Sequence, residues 1–574
     1  MSKYPFWIVC GGALLLSVNA RPLQAAAPAP SKEAAAAANA AARDIEALAL
    51  RIDQHLAARQ AEAKAQPAPL ADDAEFIRRA YLDIVGRIPT VAEVRKFLAN
   101  KAKDKRRQLI DELLKRPGYV SNFTNQWRSL FMAEADSSFV GRYLVPGFED
   151  WLKRELARDA GYDQIVRKIL TVPMDQQAQQ AFGFFGGGNG ELTPAGFYLS
   201  KEIKAENLAA ATARMFLGIR LECAQCHDHP FATWKREQFW GMAAFFAGIQ
   251  RQENGDFTFP AREINDRREI AIPGTDRVVQ ASYLDGSEPQ WKFKIGSRVT
   301  LADWVTSPNN PYFARTTVNR MWAHFFGLGL VEPVDDMVGS ETVAYHPELL
   351  NELAQQFAAH NFDLKFLIRV LTATQAYQRT SDALHASQAD PHLFARMMVR
   401  GMTQEQLFDS LSTAIGYHQT AQQNPFFVFN DNSPRSKFLE KFARRNEKAT
   451  EPQTSILQAL ALMNNQFIAE ATTLARSETL AAVADSPFMD TAERIETLYL
   501  ATLSRKPRPD ELARLVKYVE HGGREEVTFV AFADAIKNVV NNAPAPTRSA
   551  TTKDNALADI LWAILNSSEF ILNH

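Results

Sequence analysis

Cys223, Cys226 and His227, in the run Cys223-Ala224-Gln225-Cys226-His227, are the residues of this chain whose types and spacing best suit chemistry. Two thiols separated by two residues can add to the two vinyl groups of one haem while the adjacent imidazole ligates its iron. The chain has 3 cysteines, and the remaining one, Cys10, lies in a stretch that reads as a removable leader. Two cysteines placed at random in a chain of this size fall three apart roughly once in 300 trials, so the spacing carries information. Two other chemistries stay open. With His229 the same residues make a four-donor set for zinc or iron, crowded enough to need a further ligand. A bond between the two thiols would make a redox or structural disulfide, although the motif trails a helix where a thioredoxin-like site follows a strand. For a haem, Met215, Met242, Met321 and His324 each carry an atom able to take the sixth iron position, and spacing selects none of them.

A second polar cluster lies downstream. Asn310 and Pro311 open a predicted helix through Phe326, with Val318, Trp322 and Phe325 on its apolar face. Arg315 and Asn319 are one turn apart, as are Arg320 and His324. The loop that follows carries Glu332, Asp335 and Asp336. These groups allow an acid-base or metal site; they equally allow arginine-carboxylate pairs that fix a buried loop to a helix.

The elements that position these residues are mostly helical. At 574 residues, with 46% hydrophobic and 23% charged residues, the chain has material for more than one core. A net charge of −2, with both signs interspersed, gives no reason to expect nucleic acid as a partner. Ile45, Leu48, Ile52 and Leu56 recur at helical spacing over Asp44 to Ala61. Asp72 or Asp73 caps the next helix, Gly86 ends it, and Thr90 with Glu93 forms a capping box for a third. Ile203 to Leu221 is expected to be one helix leading to Cys223. From Gln250 to Arg298 short apolar runs (Phe257 to Phe259, Glu269 to Ile272, Val278 to Tyr283) alternate with Gly, Pro and Asp, as in hairpins. Gly183 to Gly190 reads as a flexible loop.

An internal repeat organises the whole. Tyr81-Leu82-Asp83-Ile84-Val85-Gly86-Arg87-Ile88-Pro89 with Glu93 matches Tyr499-Leu500-Ala501-Thr502-Leu503-Ser504-Arg505-Lys506-Pro507 with Glu511, without gaps. Leu109 to Tyr119 likewise resembles Ile560 to Phe570, and Tyr162 to Thr171 resembles Phe362 to Thr372. The expected architecture is therefore mainly α: two related multi-helical halves joined by a short β-hairpin-rich segment. Its parts are a signal peptide (1–25), an Ala/Pro-rich linker (26–43), a helical domain with the Cys-x-x-Cys-His motif (44–250), a β-rich connector (251–299) and a helical C-terminal domain (300–574). The apolar run Phe6 to Val18 is too short to span a bilayer and predicts export to the periplasm or another extracytoplasmic compartment, with no transmembrane helix in the mature chain.

The chain resembles a family of exported proteins first catalogued in planctomycetes, in which a planctomycete-type cytochrome domain precedes a family-specific C-terminal domain. The resemblance rests on Tyr81 to Pro89, on Phe216-Leu217-Gly218 and Cys223 to Phe231, and, in the second half, on Asn310 to Arg315, Val318-Asn319-Arg320, Trp322 to Gly327, Leu330 to Pro333 and His346 to Leu350. It covers most of the mature chain and departs at Ala232-Thr233-Trp234-Lys235, where acidic or basic residues often flank the tryptophan. The resemblance implies this two-domain order, export, and work beside an exported partner enzyme in polysaccharide breakdown; a covalently held haem c, with a redox partner to serve it, is expected from Cys223, Cys226 and His227 themselves. The expected function is an exported c-type haem protein for electron transfer or small-ligand binding; a non-haem metal-dependent hydrolase, or a scaffold subunit for a partner enzyme, is the alternative.

Overall fold

The computed structural model describes residues 32–133, 139–174, 193–229, 233–251, 261–339, 342–418, 433–442, 466–523 and 553–574. The predicted leader, the loop predicted over Gly183 to Gly190 and the strand predicted at Phe257 to Phe259 lie outside them. Contacts divide the chain into Met1–Asp44 and Ile45–His574, and apart from the first residues of the helix Lys32–Glu62 all that follows concerns the second unit. Its described residues are mainly helical, with strands confined to two-stranded antiparallel pairs. Two of these, Ile249–Arg251 with Ala261–Glu263 and Glu269–Ala271 with Val278–Gln280, form the expected hairpins. Another joins residues far apart in sequence, Arg400–Gly401 with Leu572–Asn573.

Two apolar cores result. One gathers residues from Leu48 to Met397 and the other runs from Met402 to Ile571. The helix Asp73–Ile84 lies between them, since Phe76, Ile77 and Tyr81 join the first core whereas Leu82, with Ile88 just beyond the helix, joins the second. Asp72 caps this helix by accepting from the Glu75 amide at 2.8 Å. Gly86, at φ 80°, ends the helix in the left-handed conformation that glycine adopts without strain.

Because both cores enclose this helix, its charged residues are buried too and must find partners inside. Arg78 donates to the carbonyls of Thr502 (2.8 Å) and Phe570 (2.7 Å), and burial pulls its guanidinium down to about 10. Arg79 donates to the carbonyls of Tyr377 (2.6 Å) and Arg379 (2.9 Å). Asp83 accepts from Tyr377 Oη at 2.8 Å, Asn573 Nδ2 at 2.7 Å and Arg400 at 2.9 and 3.0 Å.

The repeat survives in three dimensions. The helices Asp73–Ile84 and Val91–Ala99 match Thr491–Thr502 and Pro509–Glu520. In the first pair Arg87 binds Glu93 and lies over the Tyr81 ring at 5.5 Å. In the second Arg505 binds Glu511 and lies over Tyr499 at 5.3 Å. Glu93 also closes the Thr90 capping box, and Glu511 accepts from the Arg508 amide in the equivalent position. The weaker repeat brings its copies into contact, the Tyr162 amide donating to the Phe362 carbonyl at 3.0 Å.

Local boundaries differ from expectation in three places. The helix predicted from Asp44 already runs from Lys32, because an alanine-rich stretch extends a helix more readily than it breaks one. Asn310 Oδ1 does cap by accepting from the amides of Tyr312 and Phe313, but the helix itself is Phe313–Phe326. The single helix expected over Ile203 to Leu221 is interrupted. It begins at Ala205, widens into a π turn over Ala213–Leu217 and stops at Gly218, whose φ is 64°.

Candidate functional site

The π turn and Gly218 together decide where the Cys-x-x-Cys-His loop starts. The amides of Gly218 and Ile219 both donate to the Ala213 carbonyl, which turns the chain sharply out of the helix. A Cβ on Gly218 would come within 2.7 Å of Thr316 Oγ1 and 3.2 Å of Met337 Sδ, so both the close approach and the positive φ call for glycine. Glu222–Gln225 then forms one 3₁₀ turn, closed by the Ala224 amide donating to the Leu221 carbonyl at 2.9 Å.

In that turn Ala224 is fully buried while Cys223 and Cys226 are exposed, unbonded to each other, as free thiols. His227 is exposed as well. Its Nδ1 lies 2.7 Å from the Asp228 carbonyl oxygen. A carbonyl only accepts, so Nδ1 donates and the neutral ring keeps its lone pair on Nε2. The helix Arg236–Ala244 holds the loop from behind. Trp240 Nε1 donates to the Gln225 carbonyl at 3.0 Å and the Arg236 amide to Asp228 Oδ1 at 2.9 Å. The backbone of Asp228 thus orients the imidazole while its carboxylate serves the helix start. The His229 amide donates to the Trp234 carbonyl at 2.8 Å. Among the described residues no three His, Cys, Asp or Glu side chains converge as a metal-binding group, so His229 is not gathered with the two thiols into a zinc or iron cage.

Met215 and Met242 are fully buried, and Met321 nearly so, within the first core. His324 is partly buried, and desolvation lowers its pKa; its Nε2 lies 3.0 Å from the Asp83 carbonyl. All four are packing or hub residues in this conformation.

The downstream cluster divides. Asn319 is buried and bonds only backbone, donating to the Val331 carbonyl and accepting from the amides of Leu330 and Val331. Glu332 accepts from the Gly329 amide at 2.5 Å, and burial raises its carboxyl. Burial lowers Arg315. Arg320 pairs with Asp335 at 2.9 Å and also donates to the carbonyls of Arg214 (2.8 Å) and Met215 in the π turn. Asp336 Oδ1 accepts from the Arg220 amide at 3.4 Å, and the Met337 amide donates to the Gly218 carbonyl at 2.7 Å. His324 therefore serves the Asp83 hub, while Arg320, Asp335 and Asp336 serve the segment that precedes Cys223. Arg236, Trp240 and Met337, which hold that loop and its lead-in, carry no local sequence signal for that role, since their partners lie 8 to 15 residues away for the first two and more than a hundred for the third.

Among the described residues no helix is long and apolar enough to cross a membrane. Two family models match the chain in tandem: PSCyt2, described as protein of unknown function (DUF1549), over residues 51–251, and PSD1, likewise described (DUF1553), over residues 297–519. No curated protein and no solved structure matches it.

Proposed function

From a chain that belongs to the tandem PSCyt2 and PSD1 family, we propose an exported c-type haem protein that carries electrons or binds a small ligand outside the cytoplasm. One observation carries the reading: two exposed thiols three residues apart stand next to an imidazole whose Nδ1 is committed to the Asp228 carbonyl, leaving Nε2 as the donor. This donor set would suit a haem c, the two thiols serving as attachment points and the imidazole as a ligand. Cys223 and Cys226 would hold the macrocycle edge and His227 Nε2 would face the iron. A bound haem would supply a one-electron couple or an open coordination position.

The protein's own contribution is orientation. The hydrogen bond to the Asp228 carbonyl fixes the tautomer and the orientation of the ring. Gln225, anchored by Trp240, holds the loop against the helix Arg236–Ala244. Export is supported by the short apolar run at the N-terminus, and the association with polysaccharide breakdown by the family resemblance.

The test is direct. The full chain is produced in a host competent for haem maturation, extracted with acid acetone and examined as its pyridine haemochrome. Retained absorbance in the wild type that disappears in Cys223→Ser supports the proposal. Colourless wild-type protein that carries stoichiometric zinc or iron would refute it.

A further inference from the structure

We infer that the second domain contributes a clamp that sets the position of the Cys-x-x-Cys-His loop, with Arg320, Asp335 and Met337 as positioning residues. The segment Arg214 to Arg220 is gripped at successive points. Arg320 donates to the carbonyls of Arg214 and Met215 while Asp335 holds its guanidinium at 2.9 Å. The Met337 amide takes the Gly218 carbonyl at 2.7 Å, and Asp336 accepts from the Arg220 amide. Arg214 passes the contact on by approaching Glu222, the residue before Cys223, at 3.7 Å.

These contacts fall where a helix leaves its last carbonyls without intrahelical partners. An arginine is the side chain suited to bridge two carbonyls and a carboxylate at once, and a lysine cannot reproduce that fork. Each gripping residue lies in the PSD1 match and each gripped residue in the PSCyt2 match. The clamp accounts for Arg320, Asp335 and Asp336 in the downstream polar cluster without giving them a reaction of their own. It rests on the haem proposal only for its consequence, the attachment of the group.

The experiment measures hydrogen exchange and covalent haem per chain in full-length protein from the maturation-competent host. In Arg320→Lys, amide exchange across residues 213–229, which includes Ile219 and Ala224, should rise at least tenfold. Exchange in the distant pair Thr491–Thr502 and Pro509–Glu520 should change less than twofold, and haem per chain should fall by at least half. Asp335→Asn, a milder change that preserves folding if the lysine variant fails, should raise exchange about threefold in the same segment. Unchanged exchange, an equal rise in both segments, or full haem loading in a variant whose loop has loosened would overturn the clamp. Wild-type protein without haem, combined with the local rise in Arg320→Lys, would overturn the haem reading and leave the clamp standing.

Discussion

Around Asp83, 1% exposed, Arg400, Tyr377 and Asn573 all donate to one carboxylate, and His324 and Asn122 bond its backbone carbonyl. Around Cys226 the two thiols and the His227 ring face solvent, and the loop is held largely through its backbone, the Gln225 carbonyl accepting from the Trp240 and Arg236 side chains and the Asp228 carbonyl from His227. Both regions are rich in groups able to do chemistry, yet only one leaves them unspent. Burial forces a polar side chain into full partnership, so the Asp83 hub specifies the fold. Exposure on a braced loop leaves reactive atoms free for a ligand. The comparison separates positions whose loss should unfold the chain from those whose loss should silence it.

The hub side is broken most severely by Asp83→Ala. It strands Arg400, whose side chain is 10% exposed, without its carboxylate, and removing one partner of a buried pair costs about 3–5 kcal/mol. Urea-induced unfolding checks this; a loss under about 1 kcal/mol would place the hub with ordinary surface ion pairs. Tyr377→Phe is gentler. It deletes the hydroxyl that donates to Asp83 at 2.8 Å and should cost about 1.5–3 kcal/mol, the range for a hydrogen bond to a charged group. Neither substitution touches the Cys223 loop, so on the proposed reading protein that stays folded should match the wild type in covalent haem per chain.

How far these regions were legible in the sequence follows from the range of their contacts. Local signals carried: the Asp72 cap, the Thr90 capping box and the Gly86 stop all rest on partners within a few residues. The Tyr81 and Tyr499 copies were visible because a local hairpin repeats its own internal bonds. Asp83 was not visible as a hub, since its partners lie at 377, 400 and 573 and its counterpart in the second copy is Ala501. The π turn was hidden for the same reason: it accompanies a clamp that comes from Arg320, about a hundred residues later. At the motif itself the spacing singled out Cys223, Cys226 and His227, but not that a backbone carbonyl orients His227.

The paired hairpins offer a finer test, through pH. At Glu93 burial alone would raise the carboxyl; the Arg87 guanidinium, the Thr90 amide and Arg116 outweigh it and hold the pKa at about 2, below the ordinary 4.5. A carboxylate whose folded value is depressed stabilises the fold fully above the unfolded value, and that contribution is lost as pH falls through the folded one. Wild-type stability should therefore decline between pH 4.5 and 2, and Glu93→Gln should flatten part of that decline in urea titrations at stepped pH. Glu511, held down chiefly by Arg505, should show the same sign. Parallel acid profiles for wild type and Glu93→Gln would dissolve the equivalence of the two hairpins.

The smallest expected change in stability is also the most decisive for the comparison. Cys226→Ser alters one exposed sulfur that makes no disulfide, and such surface substitutions usually stay within about 0.5 kcal/mol. In protein never exposed to haem, wild type and variant should melt together. In matured protein the wild type should melt higher, because a covalently held group stays on the unfolded chain and stabilises the fold through the packing and iron ligation that it gains only there, and the variant should show neither that gain nor the absorbance. A large destabilisation of the haem-free variant would mean that Cys226 serves the fold as Asp83 does, and the division between committed and available groups would fail at the site where it matters most.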